Sequence, residues 1–489
     1  MGYRSQTMAT RPKLRLALIA AALALGACSE QNDGPIAIGA IGAPPRPANP
    51  NLQPMDAPTA FLVEATAQGL VRFNAEGDIE PALAQSWIIS DDGLRYTFRL
   101  RRTSWADGSP VTAQQVAARL RAALSRASRN PLKPVLGAVA DIVPMTDSVL
   151  EISLRGSRPN FLQLLAHPAM GVVREGQGTG PYRLAEIGPG WTRLTLPRGE
   201  DESGPRAPDI LLRGESAALA IARFAGRRAD LVIGGTAADL PLVRAANLPA
   251  ARLAFDPVSG LFGLVFTSDE GPLADPAVRR AMAMAVDRDA IVAAIDVPRL
   301  APRTSVVSPG VQELPTPAQP DWATAPLPTR RELAARTIAE LGPEVRIRVR
   351  VAMPEGAGYR LVFAHLRRDW HMIGVETERV AAGAPADLRL IDEIAPANLA
   401  SWYLRHFTCE VSRICDSAAD QALLAARMAP RPAERQAQFA VADRILTELA
   451  PFIPLTAPVR WSLVSQRLGG FRPNPFARHP AGELIAESD

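Results

Sequence analysis

Lysine is nearly missing from this chain. Of its 54 basic residues only Lys13 and Lys133 are lysine, and arginine supplies the rest. A GC-rich genome accounts for that bias as well as function does. Net charge is also low, at a formal +4. That excess is Arg4, Arg11, Lys13 and Arg15, which sit in a stretch with no acidic residue. From residue 28 onward basic and acidic residues balance, which removes the global electrostatic case for DNA or RNA as a partner. Beyond the N-terminal segment there is no run of 18 apolar residues, so no further membrane span is read. Histidine is scarce, with five in the chain. They do not cluster, and His365 and His371, six apart, fall on different faces of a helix. A Walker motif, an HExxH and a Gly-x-Ser-x-Gly are all absent. The GQGTG at 176–180 leads into Pro181-Tyr182 and not into a helix, so it is no dinucleotide loop. No Ser–His–Asp set can be nominated from spacing. The expectation is therefore a protein without catalytic residues, cofactor or metal site. An exported hydrolase is the enzymatic alternative.

What is present begins at the N-terminus. The basic residues precede an apolar run from Leu16 to Ala27, about half of what a membrane-spanning helix needs. A basic segment followed by a short apolar one reads as a secretory signal. It ends in Leu25-Gly26-Ala27-Cys28, which resembles a bacterial lipobox. Cleavage before Cys28 would leave that cysteine as an acylated N-terminus. A chance cysteine in an ordinary signal peptide is the plain alternative. Met8 could be the true start without changing this reading. Residues 28–50 are rich in glycine and proline and are expected to be a flexible tether.

Cys409 and Cys415 remain. An exported compartment permits oxidation, and their spacing can reach disulfide geometry. So short a loop would stabilise by roughly 2 kcal/mol. Free thiols, or a metal site with His406, Glu410 and Asp416, are the alternatives.

Hydrophobic periodicity then gives mixed α/β structure. Ser86-Trp87-Ile88-Ile89 reads as a strand and Asp91-Asp92-Gly93 as a turn. Leu94, Tyr96, Phe98 and Leu100 alternate with Arg95, Thr97, Arg99 and Arg101, a half-buried strand. Thr112 and Gln115 make a capping box for a helix burying Val116, Leu120 and Leu124. Leu261–Thr267 reads as a strand. Asp275 and Pro276 then open a helix with Val278, Ala281, Met282 and Ala285 on its inner stripe. Residues 345–380 read strand–helix–strand, a parallel crossover. Here Val362, Leu366, Trp370 and Ile373 face inward, and Gly374 stops the helix. A final helix over 433–449 breaks at Ala450-Pro451, and Phe452–Leu455 re-enters as strand.

Four stretches carry a resemblance. They are Gln68–Val71 with Pro81–Trp87 and DDGLRYTFRLRRTSWADGSPVTAQQV (91–116); GTGPYRL (178–184); VFTSDEGPLADPAVRRAMAMAVDRDAIV (265–292); and Asp420 to Leu455 with APFIPL. In this order and spacing they resemble the extracellular solute-binding proteins of family 5, from Asn51 to about Leu455. The resemblance implies a two-lobed periplasmic-binding-protein fold with an extra α/β domain inserted in lobe one. On this chain lobe one would hold 51–75, 170–255 and 456–489, the inserted subdomain 76–169, and lobe two 256–455. Hinge strands would lie near 253–260 and 451–458.

The same resemblance implies a periplasmic, lipid-anchored monomer that captures a peptide or peptide-like solute. It would deliver that solute to an ABC permease and ATPase. Nickel or haem carriage, or an orphan lipoprotein without a transport role, are the alternatives. In peptide-binding relatives an acidic residue of lobe two, in an Asp-Tyr-Pro-Asp-Pro-like stretch, pairs the ligand's α-amino group. Here that region reads LIDEIAPANLASWYL (390–404). Pro396 fits the last proline, but Ala395 replaces the second aspartate, leaving Asp392 or Glu393 to hold an amine. Trp402 and Tyr403 are candidates to line the cleft, and Arg413 to meet a ligand carboxylate. Ordinary surface or core packing is the alternative for each.

Overall fold

The run Ile36-Ala37-Ile38-Gly39-Ala40-Ile41 has no polar side chain, and strand Ile36–Ile41 occupies the middle of a seven-stranded sheet. It runs parallel to Ile210–Glu215 on one side and Leu231–Thr236 on the other. This corrects the expected tether, since lobe one already begins here. A central parallel strand is covered on both faces, so it shows a continuous apolar run instead of alternation, and nearby Gly and Pro made it read as linker. The computed structural model describes residues 1–2, 34–197 and 208–485, so Cys28 and its lipobox lie outside the described residues.

In space the seven strands follow the order Leu253–Phe255, Arg460–Val464, Leu231–Thr236, Ile36–Ile41, Ile210–Glu215, Trp191–Thr195, Arg183–Gly188. A five-stranded sheet forms the second lobe, ordered Val375–Ala381, Ile347–Met353, Leu388–Ile394, Gly260–Phe266, Phe452–Thr456. The chain passes from the first sheet to the second at 256–259 and returns at 457–459. A four-stranded antiparallel sheet, from Ala84–Ile89 to Val149–Leu154, makes the third body and carries helix Ala113–Leu124. The expected boundary at 75/76 falls inside a hairpin that pairs Val71–Phe73 with Ile79–Pro81.

Local signals explain much of this. Strand Arg95–Leu100 buries Tyr96, Phe98 and Leu100 on one face. Thr112 and Gln115 close a reciprocal capping box. Asp275 accepts the Ala277 N–H, and helix Pro276–Ala285 buries Val278, Ala281, Met282 and Ala285. Strands Ile347–Met353 and Val375–Ala381 pair in parallel around helix Ala357–His371, whose Val362, Leu366 and Trp370 are buried. Gly374 ends that helix at φ +85°, a conformation only glycine adopts without strain. The arginines of the first of these strands face outward, with Arg348 on Glu376 and Arg350 on Asp387.

The lobes also touch behind the crossings. The Gly358 N–H donates to Ala238 O at 2.9 Å, and a Cβ on Gly358 would stand 1.8 Å from Ala237 O. Helix Pro432–Leu449 buries Phe439, Ala442 and Leu446, and with them Asp443. One Asp443 oxygen accepts the Ala318 N–H at 2.6 Å, while the other has no protein partner. Burial pushes its carboxyl up to about 6. In the unfolded chain this group ionises near 4, so between about pH 4 and 6 the folded form binds the extra proton and stability falls as pH rises. Asp443→Asn should flatten that decline by about 3 kcal/mol at most, read by denaturant melts at pH 4, 5, 6 and 7.

Candidate ligand-binding site

A cavity of about 610 Å³ lies between the two large sheets. That is within the range of small-molecule sites. All three bodies line it. Lobe one supplies Phe61, Glu64, Gly234, Gly235, Asp256, Arg460, Arg478 and His479; lobe two supplies Glu393, Trp402, Arg405, His406 and Val411; the inserted subdomain supplies Leu132, Val135 and His167.

The lobe-one wall is built around an interrupted ladder. Strand Leu231–Thr236 shifts register against Arg460–Val464 between Val232 and Gly235. Gly234 sits there at φ +81°, and a Cβ on Gly235 would fall 2.1 Å from the Trp461 ring. Glycine at both places lets the bulge form and lets Trp461 close over it.

The floor comes from the loop after the last strand. Asn474 is fully buried, and its Oδ1 accepts the N–H groups of Phe476 and Arg478 at 3.1 and 3.2 Å. Its own N–H donates to Asp256 Oδ1 at 3.0 Å, and its Nδ2 donates to Ala75 O at 3.1 Å. Phe476 stacks on Phe73, ring centres 4.2 Å apart. Ala477 is held at φ +50°. These contacts fix a short loop that presents Arg478 and His479 to the cavity. Asp256 Oδ2 lies 3.4 Å from His479 Nε2, while His479 Nδ1 has no protein partner. Burial pushes the Glu64 carboxyl up, against the pull of Arg478. Burial, then Arg478, holds His167 well below the usual histidine range.

Strand Leu388–Ile394 separates the two acidic candidates, because successive side chains point to opposite faces. Glu393 lines the cavity with its side chain 56% exposed and lies 3.4 Å from His406 Nε2. Hydrogen bonding and charge at His406 hold the Glu393 carboxyl below its usual range. Asp392 points the other way, and its side chain is 8% exposed. Arg460 Nη1 donates to its Oδ1 at 2.6 Å and Tyr359 OH donates to its Oδ2 at 2.6 Å. Arg460 Nη2 reaches the Asp392 carbonyl at 3.1 Å as well. Asp392 is therefore corrected from a cavity residue to one that ties the two sheets together. Burial, then the Asp392 charge, pushes the Tyr359 hydroxyl up.

Trp402 lines the cavity and packs edge-on against His406 at 4.8 Å. Tyr403, the next residue of helix Ala400–Leu404, turns about 100° away and is buried in the core, 1% exposed. It does not line the cleft. Arg413 does not either: its side chain is 68% exposed and lies 3.7 Å from Asp269. Its loop is closed by a Cys409–Cys415 disulfide, Cα atoms 5.0 Å apart. That loop reaches the cavity through Val411 instead. Sequence reasoning missed Glu64, His167, Arg405, Arg460, Arg478 and His479. The one local hint is the proline-punctuated RPNPFARHP segment at 472–480, too polar for a core yet densely turned.

Comparison with known proteins assigns this geometry. A family model for "Bacterial extracellular solute-binding proteins, family 5 Middle" matches residues 78–379. The chain belongs to this family. It is 30% identical over 156 residues to the nickel-binding periplasmic protein of Escherichia coli K12, covering 29% of each chain. It is 26% identical over 283 residues to the glutathione-binding protein GsiB of Escherichia coli O1:K1, covering 53% of this chain and 54% of that one. The matched segments thus span about half or less of these relatives. In three dimensions the family 5 chain superposes on Haemophilus influenzae OppA in complex with RPPGFSPFR with a TM-score of 0.79, at 17% identity, covering 92% of this chain and 98% of OppA. It shares the two-lobed fold of that protein.

The opposite facing of the two acids predicts opposite phenotypes. Asp392→Asn leaves Arg460 short of a buried counter-charge and should cost about 3–5 kcal/mol of stability. Glu393→Gln touches an exposed pair and should cost under about 1 kcal/mol. Thermal or urea melts of the two variants check this.

Proposed function

We propose that this chain is the capture component of an ABC importer, holding a peptide or peptide-like solute between its lobes without altering it. The observation that carries this reading is the cavity itself. It is lined from both sheets, at the seam the chain crosses only at 256–259 and 457–459 among the described residues. Two such crossings let the lobes move as bodies about a short seam, and a guest that contacts both stabilises the closed arrangement.

The wall chemistry supports an extended guest. Enclosing a peptide strips water from its N–H and C=O groups, which then need partners. The break in the ladder at Gly234 and Gly235, where strand Leu231–Thr236 shifts register against Arg460–Val464, offers main-chain groups that serve any sequence. Trp402 and Phe61 supply apolar surface, and Glu393 is the acidic side chain of lobe two within reach of a ligand amine. The glutathione-binding and peptide-bound relatives favour peptide-like guests. A metal would enter as a chelate, since no three His, Cys, Asp or Glu among the described residues are grouped to hold an ion.

The rest of the assignment follows the same lines. The protein works as a monomer in the periplasm, is anchored through acylated Cys28, and hands its guest to a permease and ATPase. Thermal-shift titration of the mature chain with di- to hexapeptides, glutathione and nickel chelates tests the capture role. A ligand at a hundred times its Kd should add about 2.7 kcal/mol. No shift with any of them, or turnover of a peptide into products, would overturn the reading. For the anchor, Cys28→Ser should move the exported chain from the membrane fraction to the soluble one, with the acyl mass lost in intact-mass spectra.

A further inference from the structure

Two hydrogen-bond donors converge on the cavity floor with no acceptor between them. His167 Nδ1 accepts the Ala169 N–H at 3.1 Å. A neutral imidazole has one acceptor nitrogen, so the proton then sits on Nε2. That Nε2–H lies 3.3 Å from Arg478 Nη2, and a guanidinium has donors only. One group comes from the inserted subdomain and the other from lobe one, and both line the cavity. No carboxylate among the described residues stands within ion-pair distance of Arg478; Glu64 acts on it only through space. Both side chains are part-buried, and two donors facing each other repel, so a carboxylate or similar anion accepting from both would relieve the pair.

On the opposite side, one of the two acidic candidates for holding an amine is already taken. Both Asp392 oxygens are engaged, one by Arg460 and one by Tyr359. The Asp392 carboxylate is thus closed to a guest ammonium. What remains toward the guest in lobe two is Glu393 with His406, and Arg405, which has no carboxylate among the described residues at ion-pair distance.

We propose that this protein holds its guest by an anionic group, a carboxylate docked between Arg478 and His167, and does not require a free α-amino group. The proposal rests on the peptide-capture reading above and fixes which end of the guest is read. The carboxylate accepts from the Arg478 guanidinium and from His167 Nε2–H, and no proton or electron is exchanged.

The test uses the unaltered mature chain and calorimetric titration with pools of di- to pentapeptides. Each pool is presented free, N-acetylated or C-amidated. The expected result is that N-acetylation leaves affinity within twofold, while C-amidation weakens it roughly ten- to hundredfold. Arg478→Gln should weaken binding of the free peptides to the level of the amidated ones and remove the difference between them, and Arg478→Lys should restore part of it. If acetylation abolishes binding, or amidation has no effect, the anion-anchored reading falls while the capture function stands. If no form of any pool binds, the peptide-capture reading itself falls and takes this proposal with it.

Discussion

The Arg460–Asp392 ion pair at the seam between the sheets is the contact on which the rest is arranged. Arg460 belongs to the seven-stranded sheet and Asp392 to the five-stranded one, with side chains 15% and 8% exposed. An ion pair that shielded is strong only if its remaining valences are filled. Here Tyr359 fills the second carboxylate oxygen, and the Val459 and Asp392 carbonyls take two further N–H groups of the guanidinium. It joins the two sheets at the point where strand Arg460–Val464 leaves the crossing, beside the cavity that Arg460 also lines.

Everything on the lobe-one side of the cavity follows from a few buried polar anchors. Asn474 uses its backbone and both side-chain ends to turn the C-terminal loop, and that turn delivers Arg478 and His479. Asp256, in the first crossing, ties the same loop through the Asn474 N–H and faces His479. The loop, the crossing and the inserted subdomain therefore meet at one place, and that place is rich in donors. On the lobe-two side the disulfide-closed loop and helix Ala400–Leu404 bring Val411 and Trp402 to the wall, a mostly apolar surface with Glu393 at its edge.

This chain keeps the family's scaffold and changes the chemistry of its acidic stretch. With Ala395 in that stretch and Asp392 spent on the inter-lobe tie, the proposed anion anchor would move selectivity from the acid of lobe two to the cations of the floor. A binding protein can be re-aimed in this way without touching its core, since hinge, sheets and closure are unaffected by which end of the guest is grasped.

Local pattern determined a good deal by itself. The alternation in Arg95–Leu100, the capping box at Thr112, the Asp275-Pro276 helix start and the crossover around helix Ala357–His371 are each written within a few residues, because periodicity and capping are short-range physics. Strand Ile36–Ile41 escaped that reading because a strand covered on both faces has no alternation to display. The site lay further out of reach. The pair Asp392-Glu393 could be named from sequence, but which of the two meets the cavity depends on strand facing and on where Arg460 arrives from the other sheet. His167 and Arg478 stand 311 residues apart in the chain, and no spacing rule links them. Sequence thus settled the elements with a local pattern and pointed to the family, while the convergence of donors, tie and wall was decided by tertiary packing, which alone brings distant side chains within hydrogen-bond range.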